Sequence, residues 1–423
     1  MSKLFSSLLL FVLLLVSSAQ AQEIETGIRG TIDILASTGM HGRGYVKEGG
    51  DEAARYVLKR FKDAGLQPVG ESKVYAQTYN FPVNTFPGKV RLIVNEDSLK
   101  PGVDFLVDAA SSSYQRRDIP VKTISLKKVK DTATWRALLA TLDTSHAYCF
   151  KRIDDFLENT GIKKHRFVYE LPVGVFIIPE DKKLTWSVSR DTTLATVFYV
   201  KDLPRKLKTV SVNVNTKYIP DTRNANIIGQ VPGDIKDTFI AFTAHYDHLG
   251  MMGEKVYFPG ASDNASGVGM LLSLAEYYTE HPQRYSMLFI AFSGEEAGLM
   301  GSEFYTWKPL VPLSNIKFLT NIDIMGDATE GITVVNATKF PTEFEELKAI
   351  NEQKKYVPEI RSRGPAANSD HYYFSEAGVH SFFIYSNGGK GFYHDIFDVT
   401  KEVTLRNIAG VQKLLIDFVK DIR

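Results

Sequence analysis

The sequence predicts an α/β protein built on a mostly parallel, mixed sheet with helices on both faces, with an inserted β-rich domain. Three observations predict it. From Val210 onward, short apolar runs alternate with helix-length amphipathic segments, the order expected when crossover helices join the strands of a sheet. Four of these runs are almost continuously apolar, as strands covered on both faces should be. Between about Pro101 and Pro204 the alternation gives way to short β-like runs that lack the acidic and histidine clusters found further on.

The chain has 423 residues, 44% hydrophobic and 12% aromatic, enough to bury a large core and form two or three domains. A formal charge of +1 leaves no electrostatic footprint for nucleic acid. At the start, Lys3, an apolar run from Leu8 to Val16, and Ala19 and Ala21 read as a signal peptide cleaved after Ala21. That run falls short of the roughly 20 residues a membrane span needs. We therefore expect a secreted or periplasmic protein with no stable membrane insertion after cleavage. Cys149, the only cysteine, excludes an intramolecular disulfide and reads as a small buried hydrophobe between Tyr148 and Phe150. The expected layout is a signal peptide (1–21), an N-terminal arm with the first strands of the main domain (22–100), an inserted accessory domain (101–205) and the main domain (206–423).

Along the arm, Ala53, Val57, Phe61 and Ala64 recur at helical spacing, and Gly65 and Pro68 supply the stop. The preceding "MHGRGYVKEGG" reads as a surface loop rather than a loop at a ligand. Residues 75–107 alternate apolar and polar in "YAQTYNFPVNTF" and "KVRLIVN", strands expected to begin the central sheet. The insert offers strands in "VGVFIIP" and "TLATVFYV" and a helix in "DTATWRALLATL". The main domain offers strands in "ANIIGQV", "TFIAFTA", "SMLFIAFS", "IKFLTNID", "GITVVN" and "VHSFFIY". Its helices are "GVGMLLSLAEYYTEH", "AGLMGSEFYTW", "TEFEELKAINEQ" and the terminal "EVTLRNIAGVQKLLIDFVKDI", with Leu271, Leu274 and Tyr278 assigned to the core.

The polar residues then fall into place. His245 and Asp247 follow "TFIAFTA", Glu295 and Glu296 follow "SMLFIAFS", Asp323 ends "IKFLTNI", and His394 lies in the loop after "VHSFFIY". Asp263 lies across a glycine-rich loop from His245. The carboxyl ends of strands are where loops of an open α/β sheet converge into a site. Two imidazoles and three carboxylates are a donor set for metal-assisted hydrolysis at a two-metal centre, which also needs a carboxylate free of metal as base. Adjacent Glu295 and Glu296 fit that division, because consecutive side chains point apart. His248 reads as a turn residue. Asp370 and His371 read as cleft-lining residues, and Asp398 equally as a brace for His394 or a helix cap. Asn264 and Ser266 read as caps of the following helix, and Arg361 and Arg363 as a solvated face. Met251, Met252 and Tyr257 are expected on the cleft wall.

In these residues the chain resembles the co-catalytic zinc aminopeptidases, whose wider clan includes glutamate carboxypeptidases, glutaminyl cyclases and the transferrin receptor ectodomain. The resemblance rests on "AHYDHLG", "GASDNASGVG", "FSGEEAGLMGSEFY", "NIDIMGD", "SDHYYFSEAGV" and "FYHDIFD", in the family's order, over roughly 210–423. A weaker similarity lies around "ARYVLKRFKDAGLQPVG". The insert resembles the protease-associated domain in position and β-rich look. The resemblance implies two zinc ions per chain, with Asp263 bridging them, His245 and Asp323 completing one, and Glu296 and His394 the other. Glu295 would be the general base and Asp247 the carboxylate that holds the His245 ring. Tyr393 matches a position that polarises the scissile carbonyl in some members, and the Asp263–Asn264 bond is one that is often cis in the family. The function implied is a zinc exopeptidase acting on peptides, most simply an aminopeptidase. Its alternatives are carboxypeptidase or glutaminyl cyclase action on the same fold and a non-catalytic receptor-like protein. "FSGEEAGLMGSEFY" and "NIDIMGD" speak against the cyclase, and the complete donor set speaks against the receptor.

Overall fold

The structure is a computed structural model that describes residues 20–71 and 73–422. All but the last two residues of the expected signal peptide lie outside that range. Among the described residues no helix is long and apolar enough to cross a membrane.

The main sheet has eight strands: β1 (Ala76–Thr85), β2 (Lys217–Val231), β3 (Ile235–His245), β4 (Tyr285–Phe292), β5 (Ile316–Ile322), β6 (Gly331–Val335), β7 (Ile360–Ser362) and β8 (Ser381–Asn387). Their order is β1-β2-β4-β3-β5-β8-β6-β7. The centre is parallel, β3 pairing with β4 and β5, and β5 with β8. β1, β2 and the β6–β8 pair are antiparallel, so the sheet is mixed as expected.

Strand periodicity explains why the sheet needs cover on both sides. In β4, Met287, Phe289 and Ala291 enter one core, while Leu288, Ile290 and Phe292 enter another. The first face is covered by helical residues 20–35, α1 (Gly49–Asp63), α2 (Gly267–Glu280) and α6 (Ile408–Asp421), and it includes Leu271, Leu274 and Tyr278. The second is covered by α3 (Met300–Trp307) through Tyr305 and α5 (His371–Glu376) through Phe374. On the first face, α4 (Pro341–Lys354) packs on α6 and adds Phe344 and Leu347 to its core.

A second eight-stranded sheet has the order Asp97–Ser98, Val90–Val94, Thr209–Val214, Tyr114–Ser125, Ala147–Lys151, Gly174–Pro179, Ala195–Val200, Phe105–Val107. Its members at 90–94, 97–98 and 209–214 lie outside 101–205. "KVRLIVN" was expected in the central sheet and belongs here instead, paired with Thr209–Val214. The reason is local: Pro87 and Gly88 turn the chain out of β1, and a Cβ at Gly88 would meet the Asn215 Cβ at 2.7 Å. One face of this sheet closes over Leu249, Met252 and Phe258 from the loop that joins His245 to Asp263. Met252 is therefore core, not the cleft wall expected of it. The other face packs Trp135, Phe150, Phe156 and Phe167, and Cys149 is buried as expected.

Candidate metal centre

The parallel strands end on one edge, and their loops bring together all five residues expected to bind metal. The Asp263 carboxylate lies between two imidazoles: its Oδ1 is 3.5 Å from His245 Nε2 and its Oδ2 3.4 Å from His394 Nε2. Asp323 Oδ1 lies 3.4 Å from His245 Nε2, and Glu296 Oε2 lies 3.0 Å from His394 Nε2. His245, Asp263 and Asp323 offer donor atoms within 4.8 Å of one another. Asp263 thus faces two groups of side chains, His245 with Asp323 and His394 with Glu296.

Each donor is held from behind. His245 Nδ1 lies 3.2 Å from the Asp247 carbonyl oxygen and 3.7 Å from that residue's carboxylate. The Asp247 carbonyl and carboxylate thus both stand behind the ring, and the carboxylate also accepts from the N–H groups of Glu295 (3.2 Å) and Glu296 (3.3 Å). A carbonyl can only accept, so His245 Nδ1 carries the hydrogen and Nε2 faces the centre. Asp323 is held by Ser369, whose Oγ donates to Oδ2 at 3.0 Å. The turn of Asp263 is tied by Asp398, whose carboxylate accepts from the N–H groups of Ser262 (2.8 Å) and Asp263 (3.0 Å). Of the two roles expected for Asp398, this is the capping one, made to the turn Ala261–Ser266. Asn264 does cap, accepting from Gly267 N–H at 2.9 Å, and it also grips the end of β5 through the Ile322 carbonyl at 3.1 Å. The Asp263–Asn264 peptide bond is cis.

Among the contributors that escaped the sequence reading are His248 and Arg43. His248 is fully buried, and its Nδ1 donates to Glu296 Oε1 at 2.7 Å, which leaves Oε2 for the His394 side. Its recurrence three residues after His245 was the available signal. Arg43, in the loop read as surface, is also fully buried. Its guanidinium donates to the carbonyls of Tyr246 (2.8 Å), Leu35 (2.9 Å), Pro259 (2.7 Å), Gly260 (2.9 Å) and Asp263 (3.2 Å). The flanking glycines make this possible, since a Cβ at Gly42 would meet the Gly250 carbonyl oxygen at 2.5 Å. Burial lowers the Arg43 pKa to about 10 against the pull of Asp263, Asp398, Asp247 and Glu296, so it stays charged at neutral pH. Removing the guanidinium strands several buried carbonyls at once. Arg43→Met is expected to cost about 3–5 kcal/mol, read as a lower urea midpoint with an unchanged m-value.

The electrostatics call for cations. Asp247, Asp263, Glu296, Asp323 and Asp370 crowd a buried region that contains one arginine. Burial raises the Glu295 pKa well above the usual carboxylate range, opposed by His245 and reinforced by Glu296, Asp370 and Asp323. Burial likewise pushes Asp370 up to about 7. For Glu296 burial works the other way from the outcome, because His394 and His248 hold it well below its ordinary value.

The donor set fits zinc. Asp323 Oδ1 is buried without a hydrogen bond, and carboxylates gathered in such a place must be paired or coordinate metal. Donor atoms about 2.0–2.1 Å from a tetrahedral zinc lie ~3.3 Å from each other, close to the 3.0–3.5 Å that separate His245 and His394 Nε2 from the carboxylate oxygens beside them.

Among the other expected cleft residues, Tyr393 stacks on His394 with ring centroids 3.8 Å apart. Asp370 and His371 are buried. Arg361 is exposed and pairs with Glu359 and Glu330, a solvated face as expected. A cleft of about 540 Å³ opens beside His394, walled mostly by residues 164–189 of the second sheet's segment.

Residues 226–419 match the model of peptidase family M28, a span that contains every proposed metal donor. Aminopeptidase YwaD of Bacillus subtilis (strain 168) is 31% identical over 172 residues, 39% of this chain and 36% of that protein. A probable zinc metalloprotease of Pyricularia oryzae is 32% identical over 108 residues, 25% of this chain and 22% of that protein. The chain thus matches only about a third or less of the length of these relatives. In fold the likeness extends over nearly the whole chain. BSAP, a zinc aminopeptidase from Bacillus subtilis, superposes with a TM-score of 0.68 at 19% identity, covering 93% of each chain. The aminopeptidase from Aneurinibacillus sp. strain AM-1 gives 0.65 at 18% identity, covering 94% of this chain and 93% of that one. Two parts that reach the centre lie outside the M28 match: Arg43, and the segment around Trp186.

Proposed function

We propose that the protein is a zinc-dependent exopeptidase that removes amino-terminal residues from peptides, with two zinc ions per chain. The observation that carries this reading is the Asp263 carboxylate, whose two oxygens face the Nε2 atoms of different histidines at 3.5 and 3.4 Å. His245 and Asp323 complete one position, and Glu296 and His394 the other. Zinc bound there supplies Lewis acidity, polarising the scissile carbonyl and making water a stronger acid.

The chain's own residues do the rest. Glu295, whose carboxyl binds protons more tightly than an ordinary glutamate, takes the proton of the attacking water and returns it to the nitrogen of the leaving amine. His248 and Asp247 hold the Glu295–Glu296 turn so that one carboxylate faces metal and its neighbour stays free as base. Tyr393, half exposed over His394, meets the carbonyl oxygen as charge develops on it. The amino-terminal segment of Lys3, Leu8–Val16 and Ala21 supports export, so the working compartment is extracellular or periplasmic.

The test is a peptide library digested by zinc-loaded protein. We expect stepwise shortening from the amino end, abolished by chelation and restored by zinc with a plateau at two equivalents. Shortening from the carboxyl end would move the assignment to a carboxypeptidase. Cyclisation of amino-terminal glutamine with one zinc per chain would move it to a cyclase.

A further inference from the structure

The proposed zinc ligand His394 is fixed by a segment of the inserted region. Its Nδ1 lies 2.8 Å from the Trp186 carbonyl oxygen, and the Trp186 N–H donates to the His394 carbonyl at 3.1 Å. Because the carbonyl only accepts, Nδ1 carries the hydrogen and Nε2 is left for Asp263 and Glu296. The backbone of His394 is left-handed (φ 53), a conformation a non-glycine residue keeps only where its surroundings impose it.

Those surroundings come largely from the same segment. Lys183 Nζ donates to the carbonyls of Gly391 (2.7 Å) and Tyr393 (2.8 Å) and lies 3.5 Å from the Asp395 carboxylate, clamping the chain on both sides of His394. The Trp186 ring stacks on Phe258 at 4.8 Å and 18°, and its Nε1 donates to the Val107 carbonyl at 2.8 Å. Phe258 belongs to the loop between His245 and Asp263. Trp186 therefore ties the second sheet to both loops, through its indole to the loop that leads to the proposed shared ligand and through its main chain to the loop that carries His394.

We propose that Trp186 and Lys183 are positioning residues of the second zinc position, His394–Glu296, so that the inserted region is a working part of the metal centre. The inference rests on the two-zinc reading above. Carbonyl partners of a metal-binding histidine fix its tautomer and ring orientation, and their loss typically weakens metal binding by about 10–100-fold. Here the partner is a main-chain atom, so the side chains that seat it carry the effect.

Zinc binding is followed by titration against a chelating indicator for wild type, Lys183→Met, Trp186→Ala and Trp186→Phe, with circular dichroism to check folding. The first equivalent is expected to bind all four alike. The second is expected to bind K183M and W186A about 10–100-fold more weakly, while W186F, which keeps the stack on Phe258, stays close to wild type. Hydrolysis by K183M should then depend steeply on free zinc and recover in excess zinc. Folded K183M and W186A that hold both equivalents as wild type does would overturn the inference while leaving the two-zinc reading intact. Should W186A fail to fold, K183M alone decides, since it touches only the surface of the 391–395 loop. A wild type that binds no zinc would instead overturn the reading beneath it.

Discussion

Glu295→Gln is expected to bind zinc as the wild type does and to hydrolyse peptides at least about 10²–10⁴-fold more slowly, the usual contribution of general acid–base catalysis. The substitution keeps the size of the side chain and removes its ability to take a proton. It should also spare the neighbouring donor, because Glu296 is held separately by His248 at 2.7 Å and the turn is held through the two backbone N–H groups on Asp247. Steady-state kinetics and metal content on the same preparation check it: lost turnover with full zinc supports the role of base. Turnover near wild type with full zinc would remove Glu295 from the mechanism.

Asp263→Asn should have an effect of comparable size by another route. An asparagine presents one oxygen and an amide nitrogen where the aspartate presents two anionic oxygens, so it can serve one half-site but not both. Zinc stoichiometry is expected to fall below two and activity to drop by several orders of magnitude. The fold should survive, because the turn is anchored by main-chain bonds to Asp398 and by the Asn264 side chain on Gly267 and Ile322, none of which uses the Asp263 carboxylate. Zinc content by elemental analysis and a thermal melt separate the two effects. Unchanged zinc and activity would refute a shared ligand.

His245, Glu296 and Asp323 were legible because each follows an apolar run at its carboxyl end, so local pattern and sheet geometry together place them, whereas Asp263 and His394 lie in loops and were found through the motifs around them. His248 sits in the same loop as His245, but nothing in "HYDH" says which histidine faces Asp263 and which buttresses Glu296. Arg43 was illegible for a different reason: its most distant partners lie more than 200 residues away, and a charged residue between glycines looks the same on a surface as under a catalytic loop. Trp186 is similar, since its stack on Phe258 exists only after two sheets meet. "KVRLIVN" marks the limit of pattern reading: alternation identifies a strand, yet both sheets here accept the same alternation. The brace on His245 shows the finer limit, for the sequence named Asp247 but not which of its oxygens does the holding.

One feature of the topology bears on how the molecule folds. β1 and β2 are antiparallel neighbours, and their last shared pair is Thr85 and Lys217, so the long excursion that builds the second sheet leaves and returns at adjacent positions. As an unstructured loop of about 130 residues, that excursion would charge the β1–β2 hairpin ~3 kcal/mol more closure entropy than a tight turn of four. A second sheet that forms early brings its own two ends together and relieves the hairpin of that cost. The edge of the main sheet then assembles as if it were a local contact, and a mutation that melts only the second sheet is expected to slow the pairing of β1 with β2 in a refolding experiment.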